Sequence, residues 1–70
     1  MAEVTGPQAA KILGKSIATI HRKVSDGHLP ARQEGSGERK FLYIDADDLR
    51  EFAARYGYRV DENLLAQYAK

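Results

Sequence analysis

Cysteine is missing from this chain altogether, which excludes a disulfide framework and a thiolate zinc site and fits a reducing cytosol. Long apolar runs are missing too. Nothing approaches the roughly 18 apolar residues of a membrane span, and the opening MAEVTGPQ has neither the basic start nor the apolar stretch of an export signal. The expectation is a cytoplasmic protein with no membrane partner. Repeats and low-complexity tracts are absent, so neither a solenoid nor a disordered tail is indicated. The 70 residues read as a single small domain, and a chain of this size buries only about 60% of its unfolded surface. That leaves no cleft for a nucleophile with its base or for paired acids, so no enzyme, cofactor or small-molecule ligand is expected.

A strong charge of one sign is also lacking: the formal net charge is +1, low for a chain that binds nucleic acid. The distribution is uneven, however. Residues 11–40 carry seven Lys/Arg (Lys11, Lys15, Arg22, Lys23, Arg32, Arg39, Lys40) against three acids, whereas residues 41–70 carry four basic residues against six acidic ones. A basic footprint therefore sits in the middle of the chain.

That footprint coincides with QAAKILGKSIATIHRKVSDG, residues 8–27, which reads as two short helices joined by a tight turn. Thr5 and Gln8 have capping-box spacing, and Ala9, Ala10, Ile12 and Leu13 supply the apolar side of the first helix. Val4, just before the cap, is placed to staple onto Ala9. Gly14 ends the helix because it takes a left-handed conformation at no steric cost, and Ser16 caps the next one. On the second helix Ile17, Ile20 and Val24 fall at i, i+3 and i+7, while Ala18, Thr19 and Arg22 point the other way; Gly27 closes it. This is the helix-turn-helix pattern, in which the second helix enters the major groove of DNA.

Residues 28–34 and 39–44 read as the two strands of an antiparallel hairpin around Gly35-Ser36-Gly37, with Pro30 at the start of the first strand or on its open edge. Leu42 and Ile44 share one face, Phe41 and Tyr43 the other. Asp45 caps a third helix with Asp47 and Asp48 in its first turn and an inward stripe of Leu49, Phe52, Ala53 and Tyr56, ended by Gly57. Residues 58–70 form an extension with a cap at Asp61 and at most a short helix. Its Tyr58, Leu64, Leu65 and Tyr68 are expected to fold back on the core, the other reading being a surface for a partner protein. The fold class is mainly α with a small antiparallel β-hairpin: a winged helix-turn-helix.

In order and spacing, LGKSIATIHRKVSDGHLPAR, a glycine turn and YIDADDLREF are similar to the MerR-like excisionase domains, over residues 4 to about 56. The resemblance rests on Ser16, Thr19, Arg22 and Leu29-Pro30-Ala31 as they stand. It implies a second helix in the major groove of double-stranded DNA and a wing on the adjacent minor groove or backbone. It further implies copies binding side by side on attachment-site DNA and biasing an integrase, a tyrosine or serine recombinase, toward excision. A transcriptional regulator of the same fold and a protein-interaction adaptor that leaves DNA alone are the competing readings. Two positions depart from the family pattern: Ile17, where a polar or basic residue is frequent, and Lys23, where an apolar or aromatic one is.

The residues expected at DNA follow. Arg22 has a two-pronged guanidinium suited to guanine or phosphate. Ala18, Thr19 and His21 lie beside it. Ser16 sits at a helix N-terminus able to hold a phosphate. Lys15, Lys23, Arg32, Arg39 and Lys40 carry phosphate-seeking charge, and Ser36 and Gly37 form the wing tip. Ile17 is read as an extension of the core stripe, the alternative being contact with a thymine methyl. His21 and His28, seven apart without companions at ligand spacing, are not read as a metal pair.

Overall fold

The computed structural model describes residues 2–35 and 41–69. Its elements run β1 (Glu3–Thr5), α1 (Gly6–Leu13), α2 (Ile17–Ser25), β2 (Arg32–Glu34), β3 (Phe41–Asp45), α3 (Ala46–Tyr56) and α4 (Glu62–Tyr68). The expected two-stranded hairpin is instead part of a three-stranded antiparallel sheet in the order β1-β3-β2. Val4 lies opposite Ile44, and Gln33 lies opposite Leu42. The physical reason is plain in Val4 and Thr5. Val4 is buried in the core beside Ile44, and Thr5 both ends the strand and caps α1. A two-stranded ribbon is marginal on its own, and the N-terminal strand completes the smallest sheet with independent stability. The first strand of the expected hairpin is also shorter than read, beginning at Arg32 two residues after Pro30.

Each helix starts where a side chain meets its orphan N–H groups. Thr5 and Gln8 make the reciprocal capping box, with the Gln8 amide donating to Thr5 Oγ1 at 3.3 Å and the Thr5 amide donating to Gln8 Oε1 at 3.0 Å. Asp45 Oδ1 accepts from the Asp47 amide at 2.9 Å, and Asp61 Oδ1 from the Leu64 amide at 3.1 Å. The ends are equally local. At Gly14 (φ 67°) the Lys15 amide reaches back to the Ala10 carbonyl at 2.9 Å; at Gly27 (φ 81°) the His28 amide reaches the Lys23 carbonyl at 2.9 Å. Both are Schellman closures. A Cβ at Gly14 would meet nothing within 4 Å, so Gly14→Ala should cost only the left-handed backbone penalty, about 1 kcal/mol. A shift in the chemical denaturation midpoint measures it.

The core joins Val4, Ala9, Ala10, Ile12, Leu13, Ile20, Leu29, Ile44, Leu49, Phe52, Ala53 and Leu65. Leu65, 1% exposed, brings α4 onto this cluster, and Val60, Leu64, Tyr58 and Tyr68 pack around it. The Asp61 amide also donates to the Ile12 carbonyl at 2.9 Å, tying the extension to the end of α1. Residues 58–69 thus fold back on the domain. Ile17 departs from expectation: it is 47% exposed, whereas Ile20 is fully buried. Helical periodicity fixes an angle around the axis but not how far along the axis the packing partner extends, and Ile17, the first residue of α2, lies past that limit.

Candidate nucleic-acid interface

The helix pair is organised by its three-residue turn, Gly14 to Ser16. Ser16 Oγ accepts from the Thr19 amide at 3.1 Å and shares a 2.9 Å hydrogen bond with Thr19 Oγ1. Thr19 is half-buried, and its hydroxyl turns back to the cap instead of projecting beside Ala18 and Arg22 as its place in the heptad implied. Ser16 is likewise occupied as a cap. The open side of α2 consists of Ile17, Ala18, His21, Arg22 and Ser25, all exposed. No acid lies anywhere on the helix. Ser25 and Ile17 belong to this face although the expected set lacked them; the 3.6-residue period places Ser25 between His21 and Ala18 in projection.

Lys15 and Lys23 flank that face, each over a tyrosine. Lys15 Nζ stands 4.7 Å from the centroid of the Tyr58 ring, and Lys23 Nζ stands 5.0 Å from that of Tyr56. Tyr56, Tyr58, Phe52 and His28 form a chain of tilted and edge-on rings at the end of α3. Lys23 is half-buried, and its ammonium rests over a ring face. His21 has a different setting: its Nε2 lies 3.8 Å from where a Cβ on Gly6 would stand. Among the described residues no group of three or more His, Cys, Asp or Glu is arranged to hold a metal ion.

Ion pairing divides the cations into two sets. Arg32 donates to Glu3 at 2.7 Å, also pairs with Glu34, and lies 4.8 Å over the Tyr43 ring, so it clips the three strands together across their outer face. Its hydrogen bond with Glu3 raises its pKa above the ordinary arginine value. Arg50 pairs with Glu62 at 2.8 Å, chiefly through a hydrogen bond that raises its pKa, and with Asp47 at 3.8 Å; Arg55 pairs with Glu51 at 3.4 Å. By contrast Lys11, Lys15, Arg22 and Lys23 enter no ion pair among the described residues. The charge of Arg32, placed with the phosphate seekers from sequence, is met within the sheet. Asp47, Glu51 and Glu62 engage cations of their own region, and the cations of α2 enter no ion pair among the described residues. Ser36, Gly37, Arg39 and Lys40, the expected wing tip and its basic strand, lie outside the described residues.

The family model of the helix-turn-helix domain matches residues 4–57. The chain belongs to the helix-turn-helix domain family. No curated protein and no solved structure matches it. In a helix-turn-helix domain the second helix is the one set into the major groove, and here that helix is α2, whose open face is free of acids and carries His21 and Arg22. DNA is the partner this membership implies. The matched stretch ends at Gly57, so Tyr58, over which Lys15 stands, and the whole of α4 lie outside it. No helix among the described residues is long and apolar enough to cross a membrane.

Proposed function

We propose that this helix-turn-helix domain is a sequence-specific DNA-binding protein of the excisionase, or recombination directionality, type, which acts by binding and not by catalysis. The observation that supports the reading most is the open face of α2: exposed Ile17, Ala18, His21, Arg22 and Ser25, with Arg22 in no ion pair among the described residues. Arg22 contacts a guanine edge or a phosphate, and Lys15 and Lys23 meet the backbone on either flank, held at their tyrosines. Ser36, Gly37, Arg39 and Lys40 supply the wing contact, by analogy with the excisionase-like pattern of the sequence. A nine-residue recognition helix makes few contacts. Each copy therefore binds weakly, and copies on adjacent sites reinforce one another.

The deciding test is integrase-dependent excision of a DNA substrate bearing the attachment sites, with and without the protein. Excision that rises on its addition supports the recombination role. No change in excision, together with repression of a neighbouring promoter, contradicts that role and leaves a transcriptional regulator of the same fold. DNA binding that is undetectable, or indifferent to salt, contradicts both and leaves the adaptor.

A further inference from the structure

Ile17 stands out on the open face of α2. It is 47% exposed at the first position of the helix, and it is absent from the partly buried hydrophobic residues that pack against the core, a set that includes Val24 at the other end of the same stripe. Folding does not account for it. A β-branched residue is a mediocre helix former, the first turn favours polar or acidic residues, and the core contact of the stripe is already made by Ile20. Its surroundings divide the face in two. Ile17 and Ala18 make an apolar half at the N-terminal end; His21 and Arg22, four residues further on in each case, make a basic half one turn later.

We infer that Ile17 is a specificity-determining residue that reads the C5-methyl group of a thymine. The N-terminal residues of a major-groove helix are those that reach base edges. Among the groups that the four bases present in that groove, the thymine methyl is the apolar one, the rest being hydrogen-bond donors and acceptors. Packing against it buries Ile17 on binding and leaves no polar group of the side chain unpaired. A cytosine at the same place has only a hydrogen at C5, so the apolar contact is lost. The basic half, one turn away, is free to take a guanine edge or a phosphate. The inference rests on the DNA-binding reading above and adds to it the base that the first helical residue selects.

The experiment removes the methyl and leaves the rest of the base pair intact. A duplex site is selected for the protein from a random-sequence pool, then resynthesised with uracil replacing each thymine in turn. Wild-type protein should lose about four- to tenfold in affinity at one or two positions, the worth of one buried methyl or slightly more. Ile17→Ala should bind the thymine and uracil duplexes equally, whereas Ile17→Val should keep most of the discrimination. Both variants should keep the salt dependence of the wild type, since the side chain neutralises no phosphate. Equal wild-type affinity for thymine and uracil at every position, with steep salt dependence retained, overturns the methyl contact and leaves DNA binding standing. An Ile17→Ala protein that still prefers the thymine duplex as strongly as wild type does overturns it as well. Absence of salt-dependent binding by the wild type overturns the DNA reading and this inference with it.

Discussion

Ile20→Ala should destabilise the domain by about 2–5 kcal/mol, the largest effect expected of any single change on α2. Ile20 is fully buried and lies in the cluster that joins α1, α3 and the sheet, so truncating it leaves a cavity where α2 meets the rest of the molecule. A domain of 70 residues has a total stability of about 3.5–10 kcal/mol, and a loss of this size takes much of it. The variant should unfold at far lower denaturant, with an unchanged slope if the transition stays two-state. Ile17→Ala, three residues earlier on the same helix, should move stability by less than about 0.5 kcal/mol, because its side chain is about half in water and outside the core cluster. Comparable losses for the two variants in circular-dichroism denaturation would contradict the division between core and open face drawn above.

Arg22→Ala should weaken DNA binding by about 1–3 kcal/mol, roughly 5- to 150-fold, while leaving the fold intact. Arg22 is exposed and makes no ion pair among the described residues, so its removal leaves no buried partner without a mate. The pattern of the loss distinguishes its role. A base contact gives a loss confined to the specific site; a phosphate contact gives a uniform loss across sequences and lowers the slope of log affinity against log salt by about 0.9. Arg50→Ala is the matched control. Its guanidinium is engaged with Glu62 and Asp47 on α4 and α3, and its removal should leave DNA affinity where it was. Fluorescence anisotropy with a labelled duplex over a series of salt concentrations reads both.

Much of this architecture is written locally in the chain. The four caps at Thr5, Ser16, Asp45 and Asp61 and the turns at Gly14, Gly27 and Gly57 are each a matter of one residue and its neighbours three or four positions away, which is why the helices are legible. The alternation at Leu42 and Ile44 and the stripe at Leu49, Phe52 and Ala53 report burial for the same reason. What escaped the sequence depends on partners far along the chain. β1 is three residues with a single buried side chain, and it becomes a strand only because β3, some forty residues later, offers its edge. Val4 carries no period by itself and reads equally well as a staple for α1.

The interface shows the same division. Ala18, His21 and Arg22 are exposed, as the helical wheel requires, whereas Ile17 and Thr19 are placed by features the wheel omits: the length of the packing contact and the hydroxyl's bond to the Ser16 cap. Charge alone grouped Arg32 with Lys15 and Lys23. The fold separates them, because Glu3 lies across the sheet from Arg32 while Tyr58 and Tyr56 lie beneath the lysines. Each of these pairings is settled by tertiary structure and leaves no mark on composition or spacing.

The central claim is that the open face of α2 is where DNA lies, and an amide-resolved NMR titration of the protein with a duplex tests it most directly. The account predicts chemical-shift changes concentrated at residues 15–25 and 35–40, fading as salt is raised, with α4 and the Asp47 and Glu51 side of α3 unmoved. Changes centred on α3 and α4, with residues 15–25 silent, would contradict it.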